Sequence, residues 1–248
     1  MIGTVDALAF AGPNLFGPAQ TENELLSGPG AAGIDLTVAV TGRPLDYRLE
    51  AGNDGVAACA AEHPESVRGL ARVDPNRPDA AAELRRCLET LRLSGLFLHP
   101  WEEVFQINDP RVGPVLRVAA ESGCPVVVAA GHPWVSEPLQ IADVACRHPE
   151  TTFVLTNGGQ FNISGLGQTD ARLALERAAN TVLTTTGVYR QDFIESVVGE
   201  FGAHRVMYAG GSPHFDRSYE LLRVTEASLP PDDRDMLRAG TARAVFGL

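Results

Sequence analysis

Lysine is absent from this chain: all 20 basic residues are arginine. That excludes Schiff-base catalysis, which needs a lysine amine, and equally a metal pair bridged by a carbamylated lysine. No C-x-x-C pair occurs among the four cysteines, Cys59, Cys87, Cys124 and Cys146, so zinc fingers and dithiol redox motifs are excluded. Cys59, Cys87 and Cys146 sit in alanine- and leucine-rich helical patterns and are expected to be buried, reduced thiols. Basic charge is scarce as well. The net charge of −11 argues against nucleic acid and anionic membrane as partners, since both need a basic footprint, and serves solubility. No apolar run approaches the roughly 18 residues of a membrane span. The opening Met1–Asp6 segment lacks the basic stretch of a secretory signal, and a cytoplasmic protein is expected. No Gly-x-Ser-x-Gly elbow is present.

What the chain does have is alternation. Short β-branched runs at Gly3–Phe10, Ile34–Val40, Val67–Val73, Gly95–His99, Pro125–Ala130, Thr152–Thr156, Thr181–Thr185 and Arg205–Ala209 read as eight strands. Between them lie helical patterns such as Pro78–Leu93, Pro110–Ser122, Glu137–His148, Asp170–Ala179, Gln191–Phe201 and Ser218–Ser228, with a last helix from Asp232 to about Phe246 after Pro230-Pro231. Leu84, Leu88 and Leu91 show the three- and four-residue spacing of a helix face. Strands alternating with helices imply parallel βαβ units, and 248 residues match the roughly 250 of one eight-stranded α/β barrel. A single TIM-barrel domain over residues 1–248 is expected.

Three stretches have no clear periodicity: Ala11–Gln20, Thr41–Asn53 and Gly158–Gly167. They follow the first, second and sixth strands, which in a barrel puts them on the C-terminal face, where active sites sit. Gly158-Gly159 and Gly165-x-Gly167 suggest a phosphate cradle, but without a P-loop lysine or full dinucleotide-fold spacing a top loop is the better reading. Asn162-Ile163-Ser164 matches a glycosylation sequon without a secretion signal to give it meaning.

Several segments share a family grammar: Gly69-Leu70-Ala71-Arg72-Val73-Asp74-Pro75, Ser94-Gly95-Leu96-Phe97-Leu98-His99-Pro100, Gly123-Cys124-Pro125-Val126-Val127-Val128, Arg147-His148-Pro149, Asn180-Thr181-Val182-Leu183 and the closing Ala242–Leu248. In order and spacing the chain resembles the amidohydrolase-2 family, the metal-dependent barrels that include aminocarboxymuconate-semialdehyde decarboxylase. The resemblance implies a metal held at five positions, and this chain departs from it at each. The paired histidines of the first strand fall on Leu8 and Phe10. The fifth-strand histidine falls on Ala129, the sixth-strand histidine on Asn157, and the aspartate of the eighth on Gly211. A catalytic zinc needs about three protein ligands beside an open position, so the resemblance leaves no ligand set. No metal and no other cofactor is expected, and Leu8 and Phe10 point toward a filled, apolar cavity floor.

The remaining polar residues near the expected mouth are His99, His132, His214 and Asp6 as acid–base candidates, with Asn157, Arg43, Arg190 and Trp134 as substrate-binding candidates. Arginines placed after the second and seventh strands suit a carboxylate clamp. Each has a plainer alternative. His99 and His132 can serve loop packing, Asp216 can cap the next helix, and Thr184, Thr185 and Thr186 are ordinary strand residues. Three functions stay open: a non-catalytic or regulatory subunit of a homo- or hetero-oligomer, paired with a metal-bearing amidohydrolase paralogue; a metal-independent hydrolase or decarboxylase acting on a small carboxylated or cyclic substrate; and a small-molecule binding protein. A cavity plugged by Leu8 and Phe10 would favour the first, and a polar pocket around His99 the other two.

Overall fold

The computed structural model describes residues 3–160 and 166–248. Strands β1 (Val5–Ala11), β2 (Leu36–Thr41) and β3 (Val67–Gly69) form one parallel sheet. Strands β4 (Ala71–Arg72), β5 (Leu96–Leu98), β6 (Val126–Val128), β7 (Phe153–Leu155), β8 (Thr181–Thr184) and β9 (Val206–Met207) form a second, in sequence order. The two sheets meet at both ends. At Leu70 the chain passes from one to the other: its N–H donates to Ala39 O at 2.8 Å, and the next N–H, of Ala71, donates to Gly95 O at 2.8 Å. At the other seam Ala9 bridges Ser212, the Phe10 N–H donates to Ser212 O at 2.7 Å, and the Gly211 N–H to Leu8 O at 2.8 Å. Counting β3 and β4 as one expected strand, all eight expected strands are present, and the architecture is the (β/α)8 barrel.

The strands are continuous apolar runs because both faces are covered. Alternate residues take alternate sides. Val38, Val40, Phe97, Val127, Val154, Val182 and Met207 pack together inside the ring. Leu96, Leu98, Val126, Val128, Phe153, Leu155 and Leu183 pack outward against the helices.

The helices are α1 (Glu22–Ala32), α2 (Leu49–Glu62), α3 (Ala80–Arg85), α4 (Gly113–Glu121), α5 (Pro138–Arg147), α6 (Leu166–Arg177), α7 (Gln191–Phe201), α8 (Arg217–Thr225), α9 (Pro231–Asp235) and α10 (Thr241–Phe246). A π turn, Arg86–Thr90, continues α3, and another, Met236–Gly240, joins α9 to α10, so both long helical expectations there are one continuous helical path with a widened turn. None of the helices among the described residues is long and apolar enough to cross a membrane.

Three expectations need correction. The aperiodic stretch after β2 ends sooner than Asn53, because α2 begins at Leu49. Helix α1 was not expected from its sequence, since Gly28, Pro29 and Gly30 interrupt it and only Leu25 is buried; Thr21 and Glu24 start it with reciprocal capping bonds. Cys146 is exposed, unlike the buried Cys59, Cys87 and Cys124, because α5 turns that position outward. The sequon and Gly165 lie outside the described residues.

Candidate functional site

A cavity of about 490 Å³ opens at the C-terminal end of the ring. Its lining comes from the ends of β1 and β5 to β8 and the loops that follow them, with the loop after β9: Leu8, Phe10, Phe16, Phe97, His99, Trp101, Glu102, Ala129, His132, Thr156, Asn157, Thr186, Gly211, His214 and Phe215. All five positions that the family resemblance assigned to metal ligands therefore face one space. That space is open. The expected filled floor is overturned: Leu8 and Phe10 form part of the wall and do not plug it, because Ala129 and Gly211 contribute almost no side-chain volume.

Six rings follow one another along the wall. Trp101 stacks on His132 (centroids 5.7 Å apart, planes 13° apart), His132 lies 5.2 Å from His99, His99 6.0 Å from Phe97, Phe97 5.6 Å from Phe10, and Phe10 5.1 Å from His214. Edge-to-face and offset contacts at such distances hold rings in fixed orientations.

His99 is the most deeply placed of the three histidines. The Glu102 backbone N–H donates to its Nδ1 at 3.2 Å, so the neutral ring carries its proton on Nε2, which lies 3.4 Å from Glu102 Oε1. Burial, then the nearby Arg72, His132 and His214, hold its pKa well below the ordinary histidine value. Burial also lowers His132, with Glu102 opposing, and His214, with Glu102 opposing and Arg72 adding. His214 also pairs through Nε2 with the Asn14 amide at 3.0 Å. Three neutral imidazoles therefore face the cavity near neutral pH.

Behind them lies a chain of charges. Arg72, 1% exposed, binds both Glu102 and, at 2.7 Å, Glu103. Glu103 also pairs with Arg43 at 2.5 Å. Burial raises the Glu103 pKa against the pull of Arg72 and Arg43. Two guanidinium groups and two carboxylates cancel, and only Glu102 reaches the cavity wall.

The other candidates lie elsewhere. Asp6 is fully buried under the β1–β9 seam, where its Oδ1 accepts the N–H groups of Gly210 at 2.6 Å and Leu8 at 3.2 Å. Burial pushes its pKa up to about 6, against lowering by Gly210, Arg217 and Leu8. It is a clasp between strands and not part of the cavity lining. Arg43 is consumed by Glu103 and covers the Tyr47 ring at 4.9 Å. Arg190 is exposed and paired with Asp192. Neither reaches the cavity as a carboxylate clamp. Trp134 is 75% exposed on its loop; the indole on the wall is Trp101. Asn157 does line the cavity. Its backbone is left-handed (φ 56°), its N–H donates to Thr184 Oγ1 at 3.1 Å, and its Oδ1 accepts the Thr156 hydroxyl at 2.7 Å. Asp216 caps α8 by accepting the Tyr219 N–H at 2.9 Å. Of the residues not foreseen, Glu102, Trp101, Phe16 and Phe215 come from irregular loops with no motif to mark them. Glu102 had one signal, its place three residues after His99.

The nitrogen and carboxylate donors on the cavity wall are the imidazoles of His99, His132 and His214 and the carboxylate of Glu102. Among the described residues, the group of three side chains whose donor atoms lie within 4.8 Å of one another is Glu22, Glu62 and His63, none of which lines the cavity. Gly211 adopts φ +65°, and a Cβ there would overlap the Thr186 methyl, so at this one position of the wall a side chain would press on Thr186.

A family profile described as Amidohydrolase matches residues 6–248. The chain is 23% identical over 257 residues to gamma-resorcylate decarboxylase of Rhodococcus jostii (strain RHA1), covering 83% of this chain and 78% of that protein. Two solved structures share the fold over the full chain: 5-carboxyvanillate decarboxylase of Sphingomonas paucimobilis (TM-score 0.81, 17% identity, 100% of both chains) and 2,6-dihydroxybenzoate decarboxylase from Rhizobium (TM-score 0.78, 18% identity, 100% of this chain and 99% of that one). With nearly its whole length matched and its cavity at the family's place on the barrel, this chain belongs to the amidohydrolase family.

Proposed function

We propose that the chain is a metal-independent decarboxylase acting on a small hydroxylated aromatic acid. The observation that carries this reading is the open cavity in which His99, His132, His214 and Glu102 converge among five aromatic walls. The related proteins described as decarboxylases of resorcylate, carboxyvanillate and dihydroxybenzoate supply the substrate class by analogy, since a fold alone does not fix a function.

The chemistry asks three things of the residues. The flat walls of Phe10, Phe97 and Trp101 accept an aromatic ring. The histidines serve as the proton donor for the ring carbon that bears the carboxylate, within the usual reach of general acid catalysis. The apolar wall favours departure of neutral carbon dioxide over retention of a carboxylate anion. The test is the chain dialysed against chelator, incubated with hydroxybenzoic acids, and assayed for carbon dioxide. Release that survives chelation and is lost in His99→Asn supports the reading; release that returns only with added manganese or zinc refutes it.

A second reading, a non-catalytic or regulatory subunit paired with a metal-bearing paralogue, is favoured by the rim. Leu45, Tyr47, Trp101, Val104 and Trp134 are all more than half exposed around the mouth, and Tyr47, Val104 and Trp134 also hold left-handed backbone, which is rare for such side chains. Exposed apolar groups on strained loops suit a protein contact. Native mass spectrometry of the chain drawn from its own host decides it: the chain plus one other protein, with metal only in the partner, supports this reading, and a homo-oligomer alone refutes it.

A further inference from the structure

Basic side chains are missing from the cavity wall: none of the lining residues among those described is an arginine, the sequence has no lysine, and residues 161–165, which lie outside the described set, contain no basic residue. The nearest guanidinium groups are spoken for. Arg72 is held by Glu102 and Glu103, and Arg43 by Glu103, so the cluster is neutral as a whole. A carboxylate entering this space would meet no arginine or lysine among the described wall residues, and an uncompensated buried anion is strongly disfavoured. Yet the wall holds three imidazoles, the one side chain that supplies positive charge on demand near neutral pH.

Resting on the decarboxylase reading above, we propose that an aromatic carboxylate enters the cavity together with one proton from solvent, and that His132 holds that proton beside the carboxylate. The groups facing the histidines discriminate among them. His99 faces Arg72, Glu102 and the other two histidines. His214 faces Arg72, Glu102 and the Asn14 amide. His132 faces Glu102 and His99 and lies flat against the Trp101 ring. A proton on His132 therefore gains from Glu102, and a cation flat against an indole gains further. Thr156 and Asn157, which follow β7, and Thr186, which follows β8, are uncharged.

The uptake matches the reaction's own need. Replacing a ring carboxylate by hydrogen consumes one proton. The imidazolium N–H bond breaks, and the ring's electrons form a C–H bond at the carbon bearing the carboxylate. The C–C bond then breaks, its electron pair restores the aromatic ring, carbon dioxide leaves uncharged, and the imidazole returns to its neutral form. The proton gained on binding is the proton delivered.

The experiment is titration calorimetry of the whole chain with 2,6-dihydroxybenzoate and with uncharged resorcinol, in two buffers of different ionisation enthalpy. The acid is expected to bind with uptake of about one proton, and its affinity to fall about tenfold per pH unit above neutrality. Resorcinol is expected to bind without uptake and without pH dependence. His132→Gln, at a half-buried position, is expected to weaken the acid by at least about tenfold and resorcinol by no more than about twofold. Binding of the acid with no buffer-dependent heat overturns the proposal, because a resident arginine then supplies the charge; equal losses for both probes in His132→Gln overturn the role of His132. Failure of the acid to bind overturns both this proposal and the decarboxylase reading. Uptake without carbon dioxide release sustains the proposal and refutes that reading, and release without uptake does the reverse.

Discussion

Two buried polar clusters flank the C-terminal end of the barrel, and they differ in what they face. At the β1–β9 seam, Asp6 takes the Gly210 and Leu8 N–H groups, while Arg217 binds Ser212 and Gln20. Nothing in that cluster lines the cavity except through its neighbours Leu8 and Gly211. Across the barrel, Arg43, Glu103, Arg72 and Glu102 form an equally buried set, but its last member, Glu102, reaches the cavity wall and His99. The contrast teaches that a buried, pKa-shifted carboxylate is not by itself a functional sign. Asp6 has the perturbed acidity of a catalytic group and holds two strands together. Glu102 sits on the cavity wall, where chemistry can occur.

The largest test of this contrast is Arg72→Met. It leaves Glu102 and Glu103 without their shared partner, and removing one member of a buried ion pair destabilises by about 3–5 kcal/mol. Urea unfolding is expected to show that loss, together with a change in His99 acidity visible by NMR titration; a loss under about 1 kcal/mol would mean that water already solvates the cluster.

Next comes Asp6→Asn. The Asp6 pKa is raised from 3.8 to about 6 in the folded chain, so the fold binds this proton more tightly than the unfolded chain does. The stability it contributes is therefore complete below about pH 4 and lost as pH rises through 6, a swing of about 3 kcal/mol. Asparagine keeps an oxygen for the two N–H groups and cannot ionise. Unfolding midpoints compared at pH 4.5 and 7.5 are expected to fall with rising pH in the parent and to lose that component in the variant.

At the histidines the sign is opposite. His99, His132 and His214 have lowered pKa values, so their stabilising contribution is present above the unfolded value near 6.5 and is lost as pH falls through the folded values. His99→Asn is expected to flatten the acid limb of the stability profile. A profile unchanged by that substitution would place a charged ring in the cavity at rest.

Gly211→Ala is expected to destabilise by about 1–2 kcal/mol, because φ +65° and the Thr186 methyl both oppose a Cβ. Removing the α8 cap in Asp216→Ala is expected to cost about 1 kcal/mol. Arg190→Ala, which breaks only an exposed pair, should leave the unfolding midpoint nearly unchanged. A larger effect at Arg190 would return that residue to the list of site groups.

Much of the site's location was legible. Alternation of strands and helices named the barrel, the family resemblance put Leu8, Phe10, Ala129, Asn157 and Gly211 at one site, and the end of an expected strand marked His99. His132 and His214 were legible because each follows a strand closely. Arg43 and Arg190 misled for a shared reason. Their positions after strands suit a clamp, but a guanidinium takes whichever carboxylate lies nearest, and Glu103 lies 60 positions away in sequence from Arg43 while Asp192 lies only two from Arg190. Trp101 and Trp134 were indistinguishable as letters; one loop turns its indole onto His132 and the other leaves it in solvent.

The sequence by itself determined the barrel, since short β-branched apolar runs separated by helical patterns can bury their surface in few other ways, and it determined the chemistry available at the mouth: imidazoles, an amide, aromatic rings and no amine. Only the tertiary structure decided whether the positions that the resemblance assigns to ligands enclose a plug or a space, because that depends on how small Ala129 and Gly211 are relative to the reach of Leu8, Phe10 and Thr186. It also decided which charges cancel in the interior and which face the cavity, because electrostatic pairing follows distance in space and not order along the chain.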